Sequence, residues 1–544
     1  MATTPAAVRL NTNEERSQHE LATTEVSPRV ARVMSLAFVA LVAAVPLAQA
    51  AIELRTQGWV QALDVFTRRP SRAALQAYEQ TLEGRSAVKR AVQPRLQEAL
   101  TAVAGVGNDR AVPGAPGWLF YQPGIDYVSG PGFLDPALLR LRATRMLDRD
   151  RVADAQPDPR PALRALREDL GRAGIRLLLV PVPDKAAVEG HRLSPTFRGE
   201  GSLSANPDSA RFAGDMRAAG LDVFEVPRPT GDGPAFLAQD THWTPQYMQQ
   251  VARALAGALA PQLPPGGGDA LRTEPATVAR VGDLVDMLRL PPEQGLFAPQ
   301  SVQLARVVTP SGARWTPRAD ADVLLLGDSF TNVYSEAAMG WGDSAGFAEH
   351  LSLALGRPLD VLAENGGGAA AVRLSLARAD NRTRLAGKRL VIYQFAMRDL
   401  AGQHWPVVRL AVPARAASDA TAASAAPAAT PAAAGEIEIE GTIVQASRVP
   451  DPATAPYASS VGMTRITVDR VVRGQFAGRE LVAGFLVMRN RTLMPAARYG
   501  RGDRVRLRLV PFSRAGRDIR GLQRSDDIEA FDLPAFWTLE EARR

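Results

Sequence analysis

The sequence predicts an α/β protein built on a parallel sheet, with an N-terminal membrane segment and a small C-terminal β-rich domain. Strand, helix and strand patterns alternate clearly from residue 321 onward, which is typical of βαβ units. A twenty-residue uncharged run lies near the N-terminus, and four segments after residue 436 alternate apolar with polar residues. The 544 residues, 46% of them hydrophobic, suffice for several domains with buried cores.

Composition excludes several classes of protein. The chain has no cysteine, which excludes disulfide scaffolds, thiolate zinc sites, iron–sulfur clusters and cysteine nucleophiles. Its 64 Lys+Arg and 57 Asp+Glu give a net charge of +7 that is spread over the whole chain. There is no run of five like charges and no recognisable nucleic-acid-binding module, so we expect no nucleic-acid partner.

The uncharged run at 33–52 is long enough to span a bilayer as a helix. Arg29 and Arg32 precede it, as expected of a cytoplasmic flank. A cleaved signal peptide is the alternative, because Ala48-Gln49-Ala50 fits a cleavage site. The 32 preceding residues are long for a signal peptide, so we favour an uncleaved anchor in the inner membrane. Residues 1–32 would then be a disordered cytoplasmic tail, and the remainder would lie in the periplasm.

The segments after the anchor are predicted in order from their apolar spacing. Residues 53–104 are predicted to form a helical stalk, and 105–411 the α/β domain. Thr244-Pro245 fits an N-cap followed by Pro at the first helical position. The predicted strands are 118–121, 176–183, 221–226, 322–326, 359–363 and 390–395. The predicted helices are 134–150, 161–173, 244–260, 343–356 and 369–386.

The last quarter of the chain is predicted to be a linker and a β-rich accessory domain. Residues 412–434 are rich in Ala, Pro, Ser and Thr without an apolar face, which indicates a linker. The domain over 435–544 has alternating patterns at 437–449, 465–472, 480–487 and 504–510. An OB-like barrel is one topology that accommodates them.

The candidate nucleophile is Ser329. A buried-strand pattern runs directly into Gly327-Asp328-Ser329-Phe330, and catalytic groups gather at the carboxyl ends of parallel strands. An exposed serine hydroxyl beside backbone N–H groups suits nucleophilic catalysis. The same tripeptide at 342–344 follows no strand, so we predict that it is a helix N-cap.

The candidate base is His242, in Asp240-Thr241-His242-Trp243. Residues i and i+2 of an extended segment project to one side, so Asp240 can orient the imidazole toward Ser329. An ordinary loop, with Asp240 capping the turn and His242 packed beside Trp243, is equally compatible with the spacing. A metal site is a further alternative, but no other His or Cys cluster supports it, and we expect no metal.

Two features are candidates for stabilising an oxyanion. Asn365, Gly366 and Gly367 follow the strand after Ser329, where backbone N–H groups can approach a bound carbonyl. A tight turn explains the same glycines equally well. Arg398 lies at the end of the next strand, and its alternative role is a structural ion pair.

Taken together, the motifs resemble one family. Gly117-Trp118-Leu119-Phe120-Tyr121, Pro181-Val182-Pro183-Asp184-Lys185, the Asp240 and Ser329 motifs and Asn365-Gly366-Gly367-Gly368 occur in its order. Over about 110–405 the chain is similar to the SGNH-hydrolase-like domain of the AlgJ/AlgX-type alginate O-acetyltransferases. The resemblance implies a three-layer SGNH fold without a cofactor, in which the Asp/His pair precedes the serine. The usual GxND block is missing, so the side chain completing the oxyanion hole stays open.

The resemblance also implies the activity and the partners. Ser329 would be the nucleophile, His242 the base and Asp240 its orienter, moving acetyl groups onto an exopolysaccharide in the periplasm. A membrane-bound O-acyltransferase partner would supply the acetyl groups. The alternatives are an esterase that deacetylates a polysaccharide with the same triad, and a non-catalytic polysaccharide-binding scaffold. The C-terminal domain has two alternatives, binding an anionic polymer through its arginines or docking another subunit.

Overall fold

The computed structural model divides the chain into two units, Met1–Arg95 and Leu96–Arg544. The predicted linker at 412–434 and residues 1–26 of the predicted tail lie outside the described residues. The described residues are 27–66, 75, 78, 86–150, 152, 154–194, 205–264, 267–268, 270–378, 381, 383–410, 435–450, 452, 455, 457–516, 519, 522–526, 528, 530 and 533–541.

The first unit contains one long apolar helix, α1 (Pro28–Gln57), which includes the predicted segment and extends beyond both of its ends. Ser27 caps it, with its hydroxyl accepting from the backbone N–H of Val30, and Gly58 ends it at φ 71°. An 18-residue stretch of the helix has a mean hydropathy of 2.2, and the helix is long and apolar enough to cross a membrane. A signal sequence at this position has the same features. A 3-10 helix follows at Gln61–Phe66.

The α/β region follows α2 (Ala87–Ala104). Its other helices are α3 (Gln122–Ser129), α4 (Pro136–Asp150), α5 (Pro159–Arg172), α6 (Lys185–Val188), α7 (Gly190–Leu193), α8 (Ser209–Ala218), α9 (Pro245–Leu259), α10 (Asp283–Leu288), α11 (Ser329–Asn332), α12 (Phe347–Leu355), α13 (Gly368–Ala377) and α14 (Asp399–Gly402). Its strands are β1 (Ala111–Pro113), β2 (Leu119–Tyr121), β3 (Arg176–Val182), β4 (Asp222–Val223), β5 (Arg272–Arg280), β6 (Gln300–Val308), β7 (Val323–Gly327), β8 (Asp360–Ala363) and β9 (Leu390–Ala396).

The central sheet has the strand order β4-β3-β9-β7-β8, and every pairing in it is parallel. If the strands are numbered circularly, with β7, β8, β9, β3 and β4 as 1 to 5, the sheet read from β8 has the order 2-1-3-4-5. This is the flavodoxin-like order in circularly permuted form. The order reverses between β7 and β9, and ligands bind at the carboxyl ends of strands at such a switch point. Ser329 follows β7 and Arg398 follows β9, so both lie at this point.

Alternate residues of the strands pack on opposite faces of the sheet, as the pleat requires. Val323 and Leu325 belong to a core that includes α9 and α12. Leu324 and Leu326 belong to a second core, which includes α5, α8 and α13. The region is therefore a three-layer α/β sandwich, and the predicted parallel sheet is confirmed.

The boundaries of several predicted elements were wrong. The strand predicted at 221–226 is reduced to β4, the helix predicted at 343–356 begins at Phe347, and the one predicted at 369–386 ends at Ala377. The predicted N-cap at 342–344 was also wrong, because Ser344 has φ 54° and donates its hydroxyl hydrogen bond to the carbonyl of Val307. That bond attaches the segment to the β5–β6 ribbon instead of to a helix.

The C-terminal domain contains a closed five-stranded barrel. The strands of the domain are β10 (Ile437–Ala446), β11 (Ser460–Arg473), β12 (Glu480–Arg489), β13 (Thr492–Leu493), β14 (Arg504–Pro511), β15 (Gln523–Ser525) and β16 (Ala535–Glu541), and β13 and β15 pair beside the barrel with β12 and β11. The barrel closes in the order β10-β11-β12-β16-β14-β10, with β12 and β16 parallel and the other pairs antiparallel. This arrangement matches the predicted OB-like topology. Strands β13, β15 and β16 were not predicted.

Candidate active site

Ser329 is the first residue of the short helix α11, directly beyond the end of β7. The buried carboxylate of Asp328 caps this helix, accepting from the backbone N–H of Phe330 at 2.8 Å. Gln394 of β9 donates its amide N–H to the same carboxylate at 2.9 Å, and its amide oxygen accepts from the Thr331 hydroxyl at 2.7 Å. The two strands at the switch point thus hold the turn that carries Ser329 from both sides.

The structure brings the three predicted catalytic residues together. His242 Nε2 lies 2.9 Å from Ser329 Oγ, and His242 Nδ1 lies 2.6 Å from Asp240 Oδ1. Trp341 Nε1 donates to Asp240 Oδ2 at 2.8 Å, and the backbone N–H of Asp283 donates to the same oxygen at 3.0 Å. With both oxygens of Asp240 accepting, the imidazole carries its proton on Nδ1 and presents Nε2 to the serine hydroxyl.

The same contacts shift the pKa values of the pair in opposite directions. Burial alone raises the pKa of Asp240, but the hydrogen bonds from His242, Asp283 and Trp341 bring it below its usual range. Burial alone lowers the pKa of His242, but the hydrogen bond and charge of Asp240 raise it above its ordinary value. An ionised Asp240 therefore favours proton uptake by His242.

Aromatic contacts fix the histidine against the nucleophile helix. The ring of Phe330 lies 4.9 Å from the His242 ring and 5.4 Å from the Trp243 ring, between centroids. Trp243 Nε1 donates to the Phe330 carbonyl at 3.1 Å, and the Tyr334 hydroxyl donates to the Trp243 carbonyl at 2.6 Å. The aromatic residues next to the base and the nucleophile therefore join the two segments, which are far apart in sequence.

A second carboxylate, that of Asp283, faces the same histidine and was missed in the sequence. Its Oδ2 lies 3.9 Å from His242 Nδ1 and accepts from the Thr241 hydroxyl at 2.6 Å. Burial and the nearby charge of Asp240 raise the pKa of Asp283 to about 6. Asp283 lies 43 residues after Asp240, so no local spacing could have indicated it.

Lys185 is the other residue whose role the sequence did not indicate. Its ammonium nitrogen, with three N–H donors, lies within hydrogen-bond distance of four backbone carbonyl oxygens, those of Leu119, Leu237, Ala238 and Asp240, at 2.6, 2.6, 2.9 and 3.1 Å. Burial lowers the pKa of Lys185 to about 7. Its place at the end of β3 and in one of the family motifs was the only available signal. Lys185 thereby connects the segment carrying the Asp/His pair to β2.

Asp240, His242 and Asp283 also form a group of three donors within 4.8 Å of one another, a spacing that a metal ion could use. Hydrogen bonds within the protein account for this spacing. Asp240 accepts from His242, and the two oxygens of Asp283 accept from the N–H and the hydroxyl of Thr241. A cation at this position would have to displace these bonds.

The candidate oxyanion residues lie in two different environments. Arg398 donates from Nη1 and from its backbone N–H to the two carboxylate oxygens of Asp184, each at 2.8 Å. Its guanidinium carbon lies 5.4 Å from the ring centroids of both Tyr121 and Phe330. Arg398 therefore forms the structural ion pair that was its alternative role, and it does so beside the residue that follows Ser329.

Asn365 and the two candidate glycines are held by neighbouring elements. Asn332, in the helix that begins with Ser329, donates its amide N–H to Asn365 Oδ1 at 2.9 Å. A Cβ on Gly366 would meet the side chain of Gln523 in β15 of the C-terminal domain, and a Cβ on Gly367 would meet Ala371. These contacts fit the turn that was the alternative reading of the glycines.

Residues 111–397, more than half of the chain, match the family model of the SGNH hydrolase-like domain of the acetyltransferase AlgX. The chain belongs to this family. The matched residues include Asp240, His242 and Ser329, the candidate oxyanion segment at 365–367 and the whole parallel sheet, and the match ends one residue before Arg398. The SGNH-like fold expected from the resemblance is confirmed.

Relatives with the same domain are named "Probable alginate O-acetylase AlgJ". The one from Azotobacter vinelandii is 29% identical over 258 residues, 45% of this chain and 63% of that protein. The one from Pseudomonas putida is 31% identical over 251 residues, 44% of this chain and 62% of that protein. The chain thus spans less than two thirds of each relative. The solved O-acetyltransferase domain of Pseudomonas putida AlgJ is 25% identical and covers 55% of this chain and 94% of its own, with a TM-score of 0.41.

Proposed function

We propose that this protein is a periplasmic O-acetyltransferase that moves acetyl groups onto hydroxyls of an exopolysaccharide through an acetyl–Ser329 intermediate. The observation that carries the proposal is the hydrogen-bonded series from Asp240 through His242 to Ser329, with spacings of 2.6 and 2.9 Å. This series is the arrangement that activates a serine for acyl transfer. The names of the relatives, alginate O-acetylases, supply the acyl group and the class of acceptor.

In the first half-reaction, Ser329 Oγ attacks the acetyl carbonyl of the donor while His242 Nε2 takes the hydroxyl proton. The tetrahedral intermediate collapses to the acetyl-serine ester, and the imidazolium returns its proton to the departing donor group. Asp240, ionised and bonded to Nδ1, stabilises the imidazolium during this step. Arg398 stays a candidate cation for the oxyanion charge, because its ion pair with Asp184 holds the guanidinium beside Phe330.

In the second half-reaction, a sugar hydroxyl attacks the ester carbonyl and His242 takes the proton of that hydroxyl. Collapse releases the acetylated sugar, and Ser329 recovers its proton from the imidazolium. We propose that a membrane-bound O-acyltransferase supplies the acetyl groups, with α1 holding the enzyme at the same membrane. A polysaccharide esterase would use the same triad with water as acceptor, and a scaffold would form no ester.

The test uses the full-length protein in detergent with a chromogenic acetyl ester as the donor. Mass spectrometry is expected to find an adduct of about 42 Da, one acetyl group, on Ser329. Ser329→Ala should abolish the adduct, and His242→Ala should slow its formation by about 10²- to 10⁴-fold. Ser344→Ala is the matched control, because Ser344 stands in the second copy of the same tripeptide and should leave the adduct intact.

Added oligosaccharide acceptors then separate the alternatives. Formation of acetylated sugar with a matching decrease in free acetate supports the transferase. Release of acetate alone would assign the protein as an esterase. A folded protein that forms no adduct and turns over no ester would contradict catalysis and leave the scaffold.

A further inference from the structure

The loop at 364–368 connects β8 to α13 and is bonded to both ends of the turn that carries the nucleophile. The backbone N–H of Glu364 donates to the carbonyl of Gly327 at 3.1 Å. On the other side, Asn332 donates its amide N–H to Asn365 Oδ1 at 2.9 Å. The position of this loop therefore bears directly on the turn between β7 and α11.

The opposite side of the same loop is held by β15, a strand that is attached to the C-terminal barrel through β11. Arg524 lies in β15, and its Nη2 is 2.5 Å from Glu364 Oε1. The same Nη2 donates to Ser375 Oγ at 2.9 Å. The side chain of Gln523 occupies the space where a Cβ on Gly366 would lie, 2.0 Å from its amide oxygen. Gly366 has φ 71°, a conformation that glycine adopts without strain.

Strand β15 is attached to the barrel through β11 and is bonded to the α/β region. It pairs in parallel with the start of β11, where Val461 is the partner of Arg524. Two residues beyond Arg524, Asp526 forms an ion pair with the buried Arg378 of the α/β region. The guanidinium of Arg378 also donates to the carbonyl of Ile528 at 3.3 Å. Arg524 therefore reaches the loop from a fixed position.

The ion pair is largely buried, and the guanidinium carbon of Arg524 lies 5.4 Å from the centroid of the Phe512 ring. The side chains of Arg524 and Glu364 are each 12% exposed. Burial raises the pKa of Glu364, while the charge of Arg524 lowers it. A cavity of about 230 Å³, lined in part by Asn332, Glu364 and Arg524, lies beside the pair. Loss of Arg524 would leave Glu364 as a buried charge next to open space, so the loop would move toward solvent.

We propose that the C-terminal barrel positions the nucleophile turn through the 364–368 loop, with Arg524 as the positioning residue. The inference rests on the proposed function, because it concerns the reactivity of Ser329. It assigns the barrel a role in the acetylation step itself, in addition to any contact with a polymer or a subunit. Misplacement of a reacting group by about 1 Å costs about 10²-fold in rate, so a distant contact can limit this step.

The experiment measures acetylation of Ser329 in the full-length protein in a single turnover with the chromogenic ester. Arg524→Gln is expected to slow the rate constant of adduct formation by about 10- to 100-fold. Arg465→Gln is the matched control, because Arg465 pairs with Glu480 inside the barrel at 2.6 Å and should stay within about 2-fold of the unmodified rate.

The rate constant and the final amount of adduct distinguish positioning from simple loss of folded protein. If Arg524 served stability alone, Arg524→Gln would reduce the fraction of protein acetylated while the rate constant of that fraction stayed unchanged. That result would overturn the inference. Absence of any adduct on the unmodified protein would instead contradict the proposed function, so the two failures are distinguishable.

Arg524→Lys covers the case in which the glutamine variant does not fold. Lysine keeps the charge opposite Glu364 but lacks the planar group that reaches Glu364 and Ser375 together. We expect an intermediate rate, about 3- to 10-fold below the unmodified protein. A Lys variant that folds and acetylates at the full rate would contradict the role assigned to this guanidinium.

Discussion

Two carboxylates face His242, and their surroundings shift their pKa values in opposite directions. Asp240 accepts hydrogen bonds on both oxygens from His242, Trp341 and the backbone of Asp283, which keeps its pKa below the usual range despite burial. Asp283 lies beside that negative charge, and burial and the charge raise its pKa to about 6. Asp240 is therefore the permanent anion behind the imidazole, and Asp283 is an anion whose charge depends on pH near neutrality.

Substitution of Asp283 is expected to move the pH dependence of the reaction. The charge of Asp283 raises the pKa of His242, so Asp283→Asn should lower that pKa. Because the base must be neutral to take a proton, the acid limb of kcat/KM for the acetyl ester should shift to lower pH. Asp286→Asn, in the same helix, is the control and should shift the limb less. An acid limb that stayed in place in Asp283→Asn would contradict this coupling.

The effect of Lys185 on catalysis can be separated from its effect on stability, because Lys388 is a second buried lysine that serves as the control. Lys185→Met removes the donor from four carbonyls and should lower the free energy of unfolding by about 2–4 kcal/mol. It should also slow acetylation of Ser329, because one of those carbonyls belongs to Asp240. Lys388→Met removes the donor to Ala319 and Ala321 at the opposite end of the sheet.

Thermal melts and single-turnover acetylation of the two lysine variants provide the measurement. Both are expected to have a lower Tm, but only Lys185→Met should lower the rate constant of the molecules that remain competent. Equal rate constants in the two variants would reduce Lys185 to a stabilising residue.

At the scale of elements, the parts predicted well are those that local sequence determines. The run that forms β7 is apolar throughout and the run that forms β9 is apolar except at Gln394 and the Tyr393 hydroxyl, because the sheet is covered on both faces, and such runs are visible in sequence. The Asp/His spacing and the serine after a strand are equally local. The short strand β4 lies at the edge of the sheet beside β3, and the parallel partners in β12 and β16 are 53 residues apart in sequence, as in Val482 and Ala535. The extents of β4 and β16 therefore depend on distant partners.

The turn from β7 to α11 depends on a glycine. A Cβ on Gly327 would lie 2.2 Å from the hydroxyl oxygen and 2.7 Å from the Cβ of Thr331, so Gly327→Ala requires the nucleophile turn to shift. We expect a lower Tm and an acetylation rate about 10²-fold lower. Gly257→Ala is the control, because Gly257 is an exposed helical residue with no atom within 4 Å of the added Cβ.

The control should raise stability by about 0.5–1 kcal/mol, since alanine favours a helix over glycine. Thermal melts and mass spectrometry of the Ser329 adduct measure the two effects. An unchanged acetylation rate in Gly327→Ala would mean that the turn tolerates a side chain at this position. That result would contradict the conclusion drawn from the short distances to Thr331.

For the molecule as a whole, the distribution of charge bears on the role of the barrel. Several of its arginines form cross-strand ion pairs, a common means of stabilising sheets. These pairs join Arg470 to Glu440, Arg506 to Glu438 and Arg508 to Glu436. Arginines that are paired in this way present less net charge to an anionic polymer, which favours a docking or positioning role for this face of the barrel.

We expect the N-terminal helix to determine where the protein is located, and whether it is retained or cleaved is measurable. With 30 residues α1 is about 45 Å long, more than the roughly 30 Å hydrocarbon core of a bilayer. Large side chains along it are exposed, including Leu36 at 70% and Leu41 at 69%, and a bilayer would cover them. We expect the intact mass of the protein in the membrane fraction to include residues 1–50. We also expect the protein to remain with the membranes when they are extracted with alkaline carbonate.

Leu41→Arg tests the same helix from the opposite direction. A charge near the middle of the span opposes insertion by about 3 kcal/mol, so the variant should lose much of its membrane retention. Arg55→Leu, at the end of α1, should leave retention unchanged. A soluble unmodified protein whose mass begins after Ala50 would contradict the anchor and establish the signal-peptide alternative. Export would then be retained, but contact with a membrane-bound acetyl donor would require another surface of the protein.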